Sequence, residues 1–297
     1  HSKCATTGLT LLKKGELLMF VDCHTHLYSF TDTEVREILD RARDANVGPV
    51  VVAGTTLDSS ERSVDLANKH DSIFAGVGVH PMDLTNTIGD KEMVLLKNLA
   101  NSTSKTVAIS EIGLDFMENM PDRAIQYESF RNQIRLARDL HYPIIFHSRA
   151  SHQEVLRILR EEMAFEVGGA MHYFQSDLYT AETAINLGFY ISLARPLLRL
   201  PELQSVVKQL PLESIVLETD STPQPFKSKR ENWTEPRHIK DVAIKLAEIH
   251  STTLEIVTDT TTKNFLEMLG KKRYVVEKYI SAAESNPKTS RNCKLIR

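Results

Sequence analysis

Cysteine is scarce in this chain, with three in 297 residues, and an odd, widely spaced set makes no disulfide framework. Cys4, Cys23 and Cys293 therefore read as reduced thiols, which points to the cytoplasm, or to the nucleus as well in a eukaryote. No run approaches the roughly 18 apolar residues of a membrane span, so no membrane partner is expected. The early "TLLKKGELL" lacks the charged, apolar, small-residue order of a secretory signal. Basic surplus is missing too. With a formal net charge of −3, no global positive field draws the chain onto nucleic acid, and a polyanion must be held locally by metal ions or a few basic side chains. Neither GxGxxG nor a P-loop follows the first strand-like segment, which weakens a doubly wound open sheet. Solenoid repeats and interdomain linkers are also absent.

What is present is 41% hydrophobic and 25% charged, the make-up of a globular protein large enough to bury a core without disulfides. Eight short apolar segments recur: "LMFVDCHTH", "VGPVVVAGTT", "SIFAGVGVH", "KTVAISEIGLD", "YPIIFHS", "VGGAMHYF", "GFYISLA" and "SIVLETD". Their apolar character is continuous rather than alternating, which suits parallel strands covered on both faces. Helical patterns lie between them. "TDTEVREILDRARDANV" opens with a capping box from Thr31 to Glu34 and sets Val35, Ile38, Leu39, Ala42 and Ala45 on one face. The segment from Gln126 to His141, and Ile239, Val242, Ala243 and Leu246 after Pro236, repeat that spacing. Eight alternating units in about 250 residues imply an α/β fold, a (β/α)8 TIM barrel, in one domain over residues 19–280. Residues 1–18 read as an N-terminal extension or a cloning remnant, with Met19 as a natural start. Residues 281–297 are polar without an apolar period and read as a mobile tail.

Barrel active sites form at the C-terminal ends of the strands. Those ends carry His24 and His26 on strand one, His80 on three, Glu111 on four, His147 on five, His172 on six, and Glu218 and Asp220 on eight. Residues two apart on a strand point to one side, so His24 and His26 face the axis while Cys23 and Thr25 face the helices. Two imidazoles so placed can converge on one ion. So many imidazoles and carboxylates exceed the needs of one ion and suit two, about 3.5–4 Å apart, bridged by a carboxylate and a water. Singly, each residue has a plainer reading. Glu111 can pair with Arg149, Asp220 can cap a turn, and His80 before Pro81 can bond a loop carbonyl. Jointly they are costly as mere packing, because buried charge must be compensated. His70, His141, His152, His238 and His250 fall in helices or loops and read as surface or structural.

The segments "VDCHTHL", "GVGVHP", "SEIGLDF", "PIIFHSR", "GAMHYF", "LETDSTP", "ENWTEPRHI" and "TTTKNFLEML", in this order over residues 19–270, resemble the TatD family of metal-dependent deoxyribonucleases in the amidohydrolase superfamily. The resemblance implies that His24, His26, Glu111 and Asp220 surround one divalent ion, and that Glu111 bridges to a second held by His147 and His172. It also implies DNA as substrate, degraded as an exonuclease from the 3′ end with Mg2+ or Mn2+. The imidazole-rich set binds Zn2+ or Ni2+ readily as well. Three positions depart from the family pattern: Ala150 stands where aspartate is common, Ser110 where glycine is usual, and "HYFQS" replaces a Cys-Phe-Ser-Gly-like turn. None is an expected ligand, and substrate preference is what they leave open.

On this reading a bridging water attacks phosphorus in line, with Asp220 as general base and Glu111 as the second catalytic carboxylate. His80 and Arg149 contact phosphate oxygens, and Glu218 orients water or supports an additional ion beside them. The loop "PQPFKSKRENW" adds Phe226, Lys227, Lys229, Arg230 and Trp233. They either receive a nucleotide by pairing and stacking or form a solvated charged loop. The modest charge favours single-stranded or frayed ends over long duplex. The expected molecule is a monomer with no obligatory protein partner. Two rivals stand beside the nuclease: a hydrolase of an ester, lactone, amide or aminoacyl-tRNA bond, and a non-catalytic metal-binding scaffold.

Overall fold

In the computed structural model, which describes residues 19–285, the eight apolar segments become eight strands. They are β1 (Phe20–Thr25), β2 (Val47–Ala53), β3 (Ile73–Val77), β4 (Thr106–Asp115), β5 (Ile144–Arg149), β6 (Gly169–Met171), β7 (Phe189–Leu193) and β8 (Ile215–Leu217). The sheet runs in the order β1 to β8, every neighbouring pair parallel. Its two edges then meet. Asp220 N–H donates to His24 C=O at 3.0 Å, and His26 N–H donates to Ser221 C=O at 2.8 Å. Across the same seam the Thr219 N–H and hydroxyl both donate to the buried Asp22 carboxylate. The expected barrel is the architecture observed.

The described helices are α1 (Asp32–Asp44), α2 (Leu57–Lys69), α3 (Asp90–Asn101), α4 (Arg123–Leu140), α5 (His152–Glu161), α6 (Leu178–Asn186), α7 (Pro201–Val207), α8 (Ile239–His250), α9 (Leu254–Met268) and α10 (Arg273–Ser285). The capping box on α1 forms, with Thr31 Oγ1 accepting from Glu34 N–H while the Glu34 carboxylate accepts from Thr31 N–H. Two orphan amides are thereby satisfied at the helix start. Among the described residues no helix is long and apolar enough to cross a membrane.

One apolar cluster joins Val21, Val51, Phe74, Val107, Ile145, Ala170 and Val216, with Tyr190 packed beside them. These residues represent all eight strands, and only the lumen touches every strand at once. Phe265, Met268 and Leu269 from the α9 end and Val276 from α10 complete it, and Tyr279 meets Phe74 edge-on. Helix α10 therefore plugs the N-terminal mouth and runs on to Ser285, past the boundary expected at residue 280. Its apolar residues have the lumen to pack against. Residues 1–18, including Cys4, and 286–297, including Cys293, lie outside the described residues.

Cys23 corrects the sequence reading. It belongs to the lumen cluster, and its Sγ lies 3.2 Å from Ser192 Oγ and 3.9 Å from Glu218 Oε2. The cause is a break in alternation. Asp22 pairs with Val50 and Thr25 with Val52, so three steps on β1 answer two on β2. Such a bulge lets Cys23 and His24 face the same side.

Candidate metal centre

Glu111 lies on β4 at 2% exposure, ringed by imidazoles. Its Oε2 is 3.3 Å from His24 Nε2 and 3.4 Å from His26 Nε2. Its Oε1 is 3.2 Å from His147 Nδ1, 3.3 Å from His80 Nε2 and 3.5 Å from His172 Nε2. Asp220 Oδ1 is 3.2 Å from His26 Nε2, which is 3.3 Å from His24 Nε2. Donor atoms that share one ion at about 2.0–2.2 Å stand about 2.9–3.5 Å from each other.

The outer hydrogen bonds decide which nitrogens can ligate. A carbonyl only accepts, so the 3.1 Å contact of His26 Nδ1 with Ala53 C=O puts the proton on Nδ1 and frees the Nε2 lone pair. Asp115 Oδ2, 3.0 Å from His147 Nε2, does the same in mirror image and leaves Nδ1 free toward Glu111. Glu218 Oε1 stands 2.9 Å from His172 Nδ1, off the linear hydrogen-bond direction, and favours the proton there. His80 is the opposite case. Its Nδ1 accepts Met82 N–H at 3.1 Å, so a neutral His80 points an N–H at the cluster, a donor rather than a ligand.

The result is a set of acceptors facing acceptors. Asp220 Oδ1 confronts His26 Nε2 and has no hydrogen-bond partner, and His24 Nδ1 is buried without one. A positive charge between them, from a metal ion or a proton, resolves such contacts, and the residues fit divalent ions. Three groups bring their donor atoms close enough to surround an ion: His24, His26 and Asp220; His24, His172 and Glu218; and Glu111, His147 and His80, although the tautomer of His80 makes it a neighbour of the last and not a ligand. Protons are the alternative. Burial pushes the Glu111 carboxyl up, but the charges of His80, His172 and His24 and the His147 hydrogen bond hold it well below its usual range. Burial opposes charge on His172, yet Glu218 and Glu111 drive it up to about 10.

Comparison with known proteins gives this arrangement a lineage. Residues 21–270 match the family model described as TatD related DNase. The chain belongs to the TatD family. It is 35% identical over 252 residues to the "uncharacterized metal-dependent hydrolase YabD" of Bacillus subtilis, covering 83% of this chain and 97% of that protein. It is 31% identical over 272 residues to human "Deoxyribonuclease TATDN3", covering 87% and 97%. Among solved structures, the TatD homolog YJJV from Escherichia coli superposes with a TM-score of 0.75 at 27% identity, covering 84% of this chain and 97% of that one. This protein is a TatD-family metal-dependent hydrolase.

In this TatD barrel the six ligands expected from the resemblance come together, together with His80. A cavity of about 790 Å³ opens above them, lined also by Tyr28, Arg149, His152, Tyr173 and Gln175. Arg149 does not pair with Glu111; its guanidinium reaches Asp115 Oδ2 at 2.7 Å. Glu218 is not among the side chains that line the cavity. It is fully buried, its oxygens occupied by Tyr173 N–H at 2.8 Å, His172, and Ser192 Oγ at 2.5 Å. Lys227 and Arg230 are not brought to this cavity. Arg230 pairs with Glu235 at 3.0 Å and lies over Trp233, while Lys227 Nζ donates to Asn232 C=O and lines a separate cavity with Arg195 and His238.

Two residues were passed over in the sequence. Asp115 ends β4 and holds both His147 and Arg149; its signal was its place inside "SEIGLDF", four positions after Glu111. His152, read as surface or structural, lines the cavity, its Nδ1 2.7 Å from Ser148 Oγ. Three rim residues take left-handed backbone: Ala150, Tyr173 and Asp220, with φ of 53°, 47° and 52°. That conformation costs non-glycine residues about 1–3 kcal/mol and persists where the surroundings fix it. At Tyr173 and Asp220 the bonds to Glu218 and His24 C=O do so.

Proposed function

We propose that this chain is a metal-dependent nuclease that hydrolyses phosphodiester bonds of DNA, from the 3′ end of single or frayed strands. The observation that carries the reading is the ring of confronted acceptors around Glu111, open to a cavity whose free side chains suit an anion. The name of the human relative supports DNA as the substrate. His24, His26, Glu111 and Asp220 would hold one ion, and Glu111, His147 and His172 a second, with Mg2+ or Mn2+ serving the reaction and Zn2+ or Ni2+ also able to bind. The ions would supply a water of lowered pKa and positive charge against the phosphate.

The chain's own groups do the rest. Asp220, on the open side of the cluster, takes a proton from the attacking water and returns it to the leaving oxygen. His80 Nε2–H donates to a non-bridging phosphate oxygen, a role its tautomer fits and ligation does not. Arg149, held by Asp115 through part of its fork, turns its remaining N–H groups to the phosphate. Asp115 and Glu218 keep His147 and His172 in the ligating tautomer.

The test is degradation of end-labelled single-stranded DNA with Mg2+ or Mn2+, beside a panel of ester, lactone and amide substrates. Wild type is expected to shorten the strand, and Glu111→Ala to lose at least about 10³-fold in rate, since it removes the carboxylate shared by both ions. Hydrolysis of the carbonyl panel without cleavage of DNA would overturn the nuclease reading.

A further inference from the structure

The β5–β6 side of the cavity differs in character from the rest. Ser148 and His152 both line it, both half-buried, with Ser148 Oγ 2.7 Å from His152 Nδ1. The other basic groups there face carboxylates and the phosphate position: Arg149 is anchored on Asp115 and His80 stands beside Glu111. Among the described residues His152 has no carboxylate within ion-pair distance, and no candidate ligand set includes it. Ser151 does not compete for it, since its hydroxyl donates to Leu114 C=O at 2.8 Å.

When Ser148 O–H donates to His152 Nδ1, the pair offers one acceptor, the Ser148 lone pairs, and one donor, His152 Nε2–H. A phosphate only accepts and would leave the serine oxygen unmatched. A sugar hydroxyl both gives and takes a hydrogen bond and satisfies both. We propose that Ser148 and His152 form a recognition pair for the free terminal hydroxyl of the strand, next to the ring that attacks the adjoining phosphodiester. This inference rests on the nuclease reading and names what makes the enzyme start at an end. A pocket built to bond a hydroxyl rejects analogues that lack it far more strongly than an apolar pocket rejects a misfit.

The experiment uses internally labelled single-stranded oligonucleotides identical except for a 3′-hydroxyl, 3′-hydrogen or 3′-phosphate end, with Mn2+ and the full chain. Wild type is expected to favour the hydroxyl end by about 10²-fold or more in kcat/KM. That ratio collapses toward one in Ser148→Ala and His152→Ala. His152→Asn keeps an amide that can meet Ser148 Oγ and retains part of the preference, and equal manganese content across the variants shows that the ring is intact. Cleavage by wild type with no end preference, a phosphate end preferred to the hydroxyl, or a preference untouched in both alanine variants each overturns the recognition pair and leaves the nuclease reading standing. A wild type that cleaves none of the three strands overturns both.

Discussion

At the residue scale the site works through which nitrogen of each imidazole carries its proton. Asp115 sets this for His147, and it is itself held far below the usual carboxylate range: burial opposes its charge, but hydrogen bonds from His147 and Arg149 prevail. Asp115→Asn keeps the shape and removes the charge that holds His147 in place. Calorimetric titration is expected to show Mn2+ binding weakened about 10–100-fold, and Tm of the metal-free protein is expected to fall as well, because the buried Asp115 charge is paired with His147 and Arg149. Unaltered affinity would mean that Asp115 serves Arg149 alone. The proton also competes with the metal. His172 titrates at about 10 in the folded, metal-free chain, against roughly 6.5 unfolded. A raised folded value stabilises fully below about 6.5, and that contribution is lost as pH climbs toward about 10. The chelated protein is therefore expected to lose Tm from pH 6.5 to 10 by calorimetry, while affinity for Mn2+ rises over the same range because ligation needs neutral imidazoles.

At the scale of elements, pairing between neighbouring strands brings the candidate ligands together. Gly113 shows how tightly β4 and β5 run: it has φ of +149°, and a Cβ there would lie 2.0 Å from His147 C=O. Gly113→Ala is expected to cost about 2–4 kcal/mol in denaturant unfolding and to displace His147, lowering metal content. Full metal binding in that variant would separate the strand contact from the site. The strands and most of the clustered histidines and carboxylates were legible because continuous apolar runs and strand-end histidines are local signals. Cys23 was not, since alternation assumes an unbroken strand and the β1 bulge resets it. Asp115 is harder to read: the β4 segment carries two acidic residues, Glu111 and Asp115, and only the fold shows that the second faces His147 and Arg149. The role of Glu218 depended on partners far away in sequence, His172 and Ser192, which no local pattern announces, whereas Arg230 is held back by Glu235 and Trp233 in its own loop.

At the scale of the whole molecule, charge limits what can be gripped. The chain is slightly acidic, and many arginines are spent on the outside: Arg131 and Arg135 on Glu162, Arg138 on Glu166, Arg41 on Glu235. With 36 basic against 39 acidic side chains, the chain has no surplus of positive charge to offer a nucleic-acid backbone. Binding of single-stranded DNA by a metal-loaded, inactive variant is expected to weaken with salt at a log–log slope of only about −1 to −2, measured by fluorescence anisotropy, and duplex is expected to bind more weakly. A slope near −6 would reveal a basic track along the surface. The plugged N-terminal mouth and the open C-terminal cavity leave one end of the barrel for substrate, which suits a strand end.

The most direct measurement is anomalous diffraction from crystals soaked in Mn2+. Two peaks about 3.5–4 Å apart, both against the Glu111 carboxylate, one beside His24, His26 and Asp220 and the other beside His147 and His172, are the expected result. A lone peak away from Glu111, or none within the ring, would contradict the account.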